Sequence, residues 1–291
     1  MKTALIFPGQ GSQSVGMGRD LQQNFSQAKE VFDEINDILG LNLTKIMFEG
    51  PADELIKTEN AQPALMAVSI ALIRIMQKEF GINLSDICSY VAGHSLGEYS
   101  AIAASNSLSI SDVSLLLKKR GELMNSAVEP NSTSMAALIG LNCDKIEDVI
   151  KKNNLEIEIA NDNSPGQVVV SGLDKDIVNS EKIFVSEGIK KFVKLNVSAA
   201  FHCKFMKEAQ EKLNLEIDKV KFIDPICSII SNYDASVNAS SKNITKNLKL
   251  QMSNRVRWTE SILELEKNNE NVIVEIGPGK VLSGLIKRIS R

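Results

Sequence analysis

The pentapeptide Gly93-His94-Ser95-Leu96-Gly97 spells GxSxG, the pattern of a serine exposed on a sharp strand-to-helix turn. Glycines at the two ends relieve backbone crowding, and the hydroxyl is pushed outward. The flanks suit such a turn, since residues 89–92 form a short apolar run and residues 96–104 have the pattern of a helix. A helix beginning just after Ser95 brings unpaired N–H groups and a positive dipole end to where an oxyanion would develop. The Leu96 N–H is then the natural first oxyanion donor. The competing reading is a glycine-rich turn that only packs.

A serine hydroxyl is a poor nucleophile until a base takes its proton. The chain has only two histidines, so the choice lies between His94 and His202, and a multi-histidine metal site is excluded. Neighbours at a tight turn point in different directions, which leaves His94 to line the pocket or pack beneath the turn. His202, in the loop Ser198-Ala199-Ala200-Phe201-His202-Cys203, is the better base, with an ordinary polar surface position as the alternative. Arg120 follows Lys118 and Lys119. It is either part of a solvated basic turn or a guanidinium fork for a substrate carboxylate, and spacing does not choose between them.

The elements that must position these residues can be read from periodicity. Residues 3–7 predict a buried strand, and Leu21, Phe25, Ala28, Phe32, Ile35 and Leu39 predict one helical face. A second face runs through Leu65, Val68, Leu72 and Ile75, with Pro63 near its start, and Ser111 is the expected cap of the helix carrying Arg120. From about residue 127 the order changes to strand 134–141, helix 144–152, strands 156–161 and 167–171, helix 174–187 and strand 191–197. That is a βαββαβ, ferredoxin-like succession. A helix near 204–215, a strand at 226–231, helices near 243–252 and 258–268, a strand at 272–276 and a last helix then return to the first part of the chain. The expectation is an α/β protein of two units: 1–126 with 198–291 as the core, and 127–197 as a small inserted subdomain.

With 291 residues, 43% of them hydrophobic, the chain is long enough to bury a sizeable core. A net charge of −3 without blocks of like charge argues against nucleic acid and anionic lipid as partners. No apolar run approaches the roughly 20 residues that span a bilayer. Cys88, Cys143, Cys203 and Cys227 show no CxxC spacing, so reduced thiols and a cytoplasmic location are expected. A monomer is the simplest state.

Eight motifs occur in order along nearly the whole chain. They are Phe7-Pro8-Gly9-Gln10-Gly11-Ser12-Gln13, Thr58-Glu59-Asn60-Ala61-Gln62-Pro63, Gly93-His94-Ser95-Leu96-Gly97-Glu98-Tyr99 and Arg120-Gly121. Then come Ala160-Asn161 with Asn163-Ser164-Pro165-Gly166-Gln167, Phe201-His202, Gln251 with Asn254, and Glu275-Ile276-Gly277-Pro278-Gly279. Together they resemble the malonyl-CoA:acyl carrier protein transacylase family of bacterial type II fatty acid synthesis. The resemblance implies an α/β-hydrolase-like core with a parallel sheet and a ferredoxin-like insertion. It implies Ser95 as nucleophile, His202 as general base and later acid, and Arg120 as the clamp on the malonyl carboxylate. Gln10 and Leu96 would supply the oxyanion-hole N–H groups, the Gln251 carbonyl would orient the histidine, and Asn161 would face the cleft. Phe201 resembles the malonyl-selective pattern of polyketide-synthase relatives, whose bulky ring leaves no room for an α-methyl branch. Malonyl-CoA and holo acyl carrier protein are the implied partners, with the phosphopantetheine on the carrier and no bound cofactor or metal. Two positions depart from the pattern: Arg255 stands where proline is common, and Lys204 where a smaller or apolar residue is usual.

Three other functions share parts of this pattern. A thioesterase or esterase uses the same dyad, against which stand Arg120, Phe201 and the insertion. A stand-alone acyltransferase could serve a polyketide-type synthase in trans. A non-catalytic relative could keep the fold, but it would have no need of Ser95, His202 and Arg120 together.

Overall fold

The computed structural model describes residues 3–270 and 272–290. The chain opens with β1 (Thr3–Phe7), which is followed by α1 (Arg19–Asn24), α2 (Ser26–Leu39), α3 (Leu43–Glu49), α4 (Ala52–Ile56) and α5 (Thr58–Lys78). Next come α6 (Leu84–Ile87), β2 (Cys88–Gly93), α7 (Leu96–Ala104) and α8 (Ile110–Asn125). The middle of the chain is β3 (Thr133–Ile139), α9 (Cys143–Lys152), β4 (Ile157–Ser164), β5 (Gln167–Leu173), α10 (Asp174–Ser186) and β6 (Lys191–Lys194). A 3₁₀ turn at Lys204–Met206 leads into α11 (Lys207–Ile217), β7 (Ser228–Ile230), β8 (Val237–Asn238) and α12 (Ser241–Gln251). The chain ends with β9 (Val256–Arg257), α13 (Trp258–Lys267), β10 (Val272–Glu275) and α14 (Val281–Ile289).

Two five-stranded sheets organise this α/β fold. The first has the order β10-β1-β2-β7-β8, parallel except for the antiparallel edge strand β8. Its central strands are apolar on both faces, as a covered parallel sheet requires. In β1, Leu5 and Phe7 join the large core under α2, α5, α7 and α8, while Ala4 and Ile6 pack against Trp258, Ile262 and Leu282 on the other side. The same two-residue alternation sends Val91 and Ile229 one way and Ala92 and Ile230 the other.

The second sheet has the order β6-β3-β5-β4-β9. Its first four strands are antiparallel, and β9, from far along the chain, adds to the β4 edge in parallel. Ala136, Leu138, Val168 and Val170 bury one face against Ile146, Val149, Ile177 and Phe184 of α9 and α10. Met135 and Val169, one residue out of phase, turn instead toward the large core. The space between the sheets is therefore lined from both.

Several expected boundaries move. The face from Leu21 to Leu39 belongs to two helices, because Phe25 is extended (φ −135°, ψ 117°) and separates α1 from α2. Periodicity survived the break because Leu21 and Phe25 still pack on the same core. Helix α5 starts at Thr58, so Pro63 lies in its second turn, where it forgoes one bond to the Glu59 carbonyl. Burial of residues 60–71 outweighs that loss. The cap of α8 is Ser109 rather than Ser111: its hydroxyl accepts the Asp112 N–H at 3.0 Å and donates to the Asp112 carboxylate at 2.7 Å. Strand β6 stops at Lys194 instead of Val197; the Leu195 N–H still donates to the Met135 carbonyl at 2.8 Å, and Leu195, Asn196 and Val197 line a cavity. Short elements such as α3, α4, β8 and β9 carry too few residues for periodicity to reveal them.

Phe184 is fully buried between α10 and the second sheet. Phe184→Ala is expected to lower stability by about 3–5 kcal/mol, read as a shift in the urea midpoint with unchanged slope. A loss below about 1 kcal/mol would mean that this core does not depend on the ring.

Candidate active site

Ser95 sits between β2 and α7 in a left-handed conformation (φ 55°, ψ −109°). The turn closes so tightly that a Cβ on Gly93 would meet the Gly97 carbonyl at 1.9 Å, and one on Gly97 would meet the Phe7 carbonyl oxygen at 2.2 Å. Both contacts are to backbone, so only glycine fits, and the GxSxG pattern is a geometric requirement here rather than a flexible turn. Leu96 is the first residue of α7, so its N–H has no acceptor within the helix.

His202 approaches from the loop after the second sheet, itself at φ 56°. Its Nε2 lies 2.8 Å from Ser95 Oγ, and its Nδ1 lies 3.2 Å from the Gln251 carbonyl oxygen and 3.1 Å from that of Asn254. Carbonyls only accept, so the proton sits on Nδ1 and Nε2 is left free to accept the serine proton. Burial, and then the Arg120 charge, hold the imidazole down to about 3, so it is neutral and ready as a base near pH 7. Two carbonyls do here what a carboxylate does in a triad.

Arg120 is 1% exposed, which removes the solvated-turn reading. Its Nη1 donates to Gln62 Oε1 at 2.8 Å, and its Nη2 donates to Ser95 Oγ and Gln251 Oε1, both at 3.0 Å. The guanidinium also lies 5.4 Å from the centre of the Tyr99 ring. All three acceptors are uncharged, and Nε has no partner. A buried cation held this way is set up to receive an anion.

Ser95 and His202 line a cavity of about 330 Å³ between the two sheets, with Arg120 behind Ser95 Oγ, and Gln10, Asn161, Met124, Met135 and Phe201 also border the cavity. His94 lines it too, but its Nε2 is engaged at 2.7 Å with Asn163 Oδ1 of β4, and its ring stands edge-on to Trp258. It ties the turn to the second sheet and makes no hydrogen bond to Ser95 Oγ, which His202 reaches instead. Gln251 does more than offer a carbonyl, because its side-chain amide donates to the Ser95 carbonyl at 2.8 Å and to Glu98 Oε2 at 2.9 Å. Asn232, in none of the sequence motifs, accepts the Ser95 N–H at 2.7 Å and donates to the Gly93 carbonyl at 2.7 Å. A lone asparagine in a polar loop carries no signal that could have singled it out.

The two departures have structural partners. Arg255 pairs with Glu147 at 2.6 Å and so fastens α9, while the Lys204 N–H meets the Glu158 carboxylate at 3.2 Å. Cys203 is buried with its thiol on the Ala200 carbonyl, and burial pushes it up to about 12, so it holds no reactive thiolate.

The acyl transferase domain family matches residues 4–290. The chain belongs to that family. It is 41% identical to the malonyl CoA-acyl carrier protein transacylase of Bacillus subtilis (strain 168), covering 100% of this chain and 91% of the relative. It is 37% identical to the Haemophilus influenzae protein of the same name, covering 99% and 92%. Among solved structures, the acyl-carrier-protein-S-malonyltransferase of Bartonella henselae superposes with a TM-score of 0.96 at 43% identity, covering 100% of this chain and 93% of that one. A chain from the complex of a type II polyketide-synthase acyl-carrier protein with its malonyl-transacylase superposes with a TM-score of 0.95 at 36% identity, covering 100% of this chain and 93% of that one.

With only two histidines, both held below the usual imidazole range by burial, this acyltransferase offers a direct test of its electrostatics. The His202 ring is expected to stay neutral between pH 5.5 and 8 in nitrogen-15 NMR spectra, and the His94 ring to protonate below the usual imidazole range. A ring protonating near pH 6.5 would show that the site is wetter than its geometry implies.

Proposed function

We propose that this protein transfers the malonyl group of malonyl-CoA to the phosphopantetheine thiol of an acyl carrier protein, in two half-reactions through a malonyl-Ser95 ester. The observation that carries the proposal is the position of Ser95 Oγ, 2.8 Å from a neutral imidazole nitrogen and 3.0 Å from a buried guanidinium. A nucleophile, a base and a carboxylate receptor meet at one atom. The names of full-length relatives at 37–41% identity support the same activity.

In the first half-reaction His202 Nε2 takes the hydroxyl proton as Ser95 attacks the thioester carbonyl. The oxyanion is held by the Gln10 and Leu96 N–H groups, and on its collapse His202 gives the proton to the departing CoA thiolate. In the second, the pantetheine thiol gives its proton to His202 and attacks the ester, and Ser95 recovers its hydrogen. Arg120 releases Ser95 Oγ when it takes up the malonyl carboxylate, which frees the hydroxyl to react. Phe201 and Asn161 border the acyl site. The acyl group travels on Ser95 itself, so the scheme needs no bound cofactor.

The architecture behind this reading is an α/β-hydrolase-like core of residues 1–126 and 198–291 with a ferredoxin-like subdomain at 127–197. Parallel pairing of β10, β1, β2 and β7 with the nucleophile after β2 supports the first, and the β6-β3-β5-β4 antiparallel order supports the second. A monomer is the state this reading assumes. Four free cysteines fit a reducing cytoplasm. No helix among the described residues is long and apolar enough to cross a membrane. The carrier belongs to fatty acid synthesis in this reading. The polyketide complex of the 36% identical relative makes a polyketide carrier the second reading.

Intact mass spectrometry with malonyl-CoA is expected to show a malonyl adduct on the wild type and none on Ser95→Ala, with discharge on adding holo carrier protein. Discharge only to water would make the protein a hydrolase instead. Arg120→Ala is expected to cut malonyl transfer at least 100-fold while acetyl transfer falls far less, measured as kcat/KM for the two thioesters. Equal losses would remove the carboxylate clamp.

A further inference from the structure

Glu98 takes no part in the chemistry above, yet it is fully buried one turn after the nucleophile. One of its oxygens, Oε2, accepts the Gln251 side-chain amide at 2.9 Å and the Asn232 backbone N–H at 3.1 Å. Those two residues hold the Ser95 turn from opposite sides. Gln251 takes the Ser95 carbonyl, and Asn232 takes the Ser95 N–H and the Gly93 carbonyl. A single carboxylate oxygen thus stands at the junction of both supports.

We infer that Glu98 is a positioning residue, which orients the Gln251 amide and thereby aims Arg120 at the substrate carboxylate. The inference deepens the malonyl-transfer reading and rests on it. The Gln251 amide can face only one way beside Glu98, because flipping it would set Oε1 against two acceptor oxygens, those of Ser95 and Glu98. In the allowed orientation Nε2 donates to both, and Oε1 is turned to Arg120 Nη2 at 3.0 Å. Glu98 therefore reaches Arg120 through one amide without touching it, and what it supplies is an acceptor at a fixed place. The other carboxylate oxygen, Oε1, is buried without a partner, a costly arrangement that argues for the demand on Oε2. Burial raises the carboxyl to about 7, against the hydrogen bonds from Gln251 and Asn232, which favour the charged form.

Two conservative variants separate position from charge. Glu98→Gln keeps an acceptor oxygen at the same reach and discards the charge, whereas Glu98→Asp keeps the charge and withdraws the oxygen by about 1.5 Å. The expected result is that Gln retains kcat/KM for malonyl-CoA within about five-fold. Asp should lose on the order of 10- to 100-fold, with a lower malonyl-to-acetyl preference. In a Gln251→Ala background, Glu98→Asp should add less than two-fold, because the residue acts through Gln251. Asp performing as well as Gln or better, or losses that multiply in the double variant, would overturn the inference. Circular dichroism and urea midpoints of each variant identify losses that come from unfolding. Failure of the wild type to form a malonyl adduct at Ser95 would instead overturn the functional reading, so the two failures are told apart.

Discussion

A guanidinium removed from water and bonded only to neutral oxygens is an expensive thing to build, and much of this molecule is arranged around it. Arg120 draws its three partners from α5, from the nucleophile turn and from the end of α12, elements far apart in the chain. Each is an oxygen that a substrate carboxylate would outcompete. The site therefore stores an unmet demand for negative charge next to its nucleophile. In the proposed reaction that demand would favour a malonyl group over a neutral acyl group.

The same positive charge acts on the base. Burial and the nearby guanidinium both disfavour imidazolium, so His202 begins as a neutral acceptor. Two backbone carbonyls orient it without adding a negative charge that would pull its proton affinity back up. A carboxylate partner on Nδ1 would also compete with the substrate for Arg120. The carbonyls leave Arg120 with no anion among its hydrogen-bond partners. Glu98, the nearby carboxyl, is kept at the far side of the Gln251 amide.

Backbone strain at Ser95 and His202 has a shared cause. Ser95 and His202 each adopt a left-handed backbone that side chains rarely tolerate, and each is held there by surrounding hydrogen bonds. The two sheets supply that hold. The first presents Ser95 at the carboxyl end of a parallel strand, and the second delivers His202 from the loop beyond β6. His94 with Asn163, and β9 against β4, tie the sheets together beside the cavity.

Local patterns in the sequence determined a good deal: the βαββαβ succession, the strand-turn-helix around Ser95, and the choice of Ser95 and His202 as the pair that the fold brings within hydrogen-bond reach. These depend on spacing and on residue scarcity, since a chain with two histidines leaves little choice. Element ends moved where packing overruled propensity, as at Pro63, or where a break fell inside an unbroken apolar face, as at Phe25. Tertiary structure alone decided what Arg120 is, because a buried fork and a solvated turn share the same neighbours in sequence and differ only in what lies across from them. It also decided the parts played by Glu98, Asn232 and the Gln251 side chain. Each acts through partners more than 100 residues away. Such contacts leave no periodic trace in a single chain, because a hydrogen bond across a fold constrains geometry and not spacing.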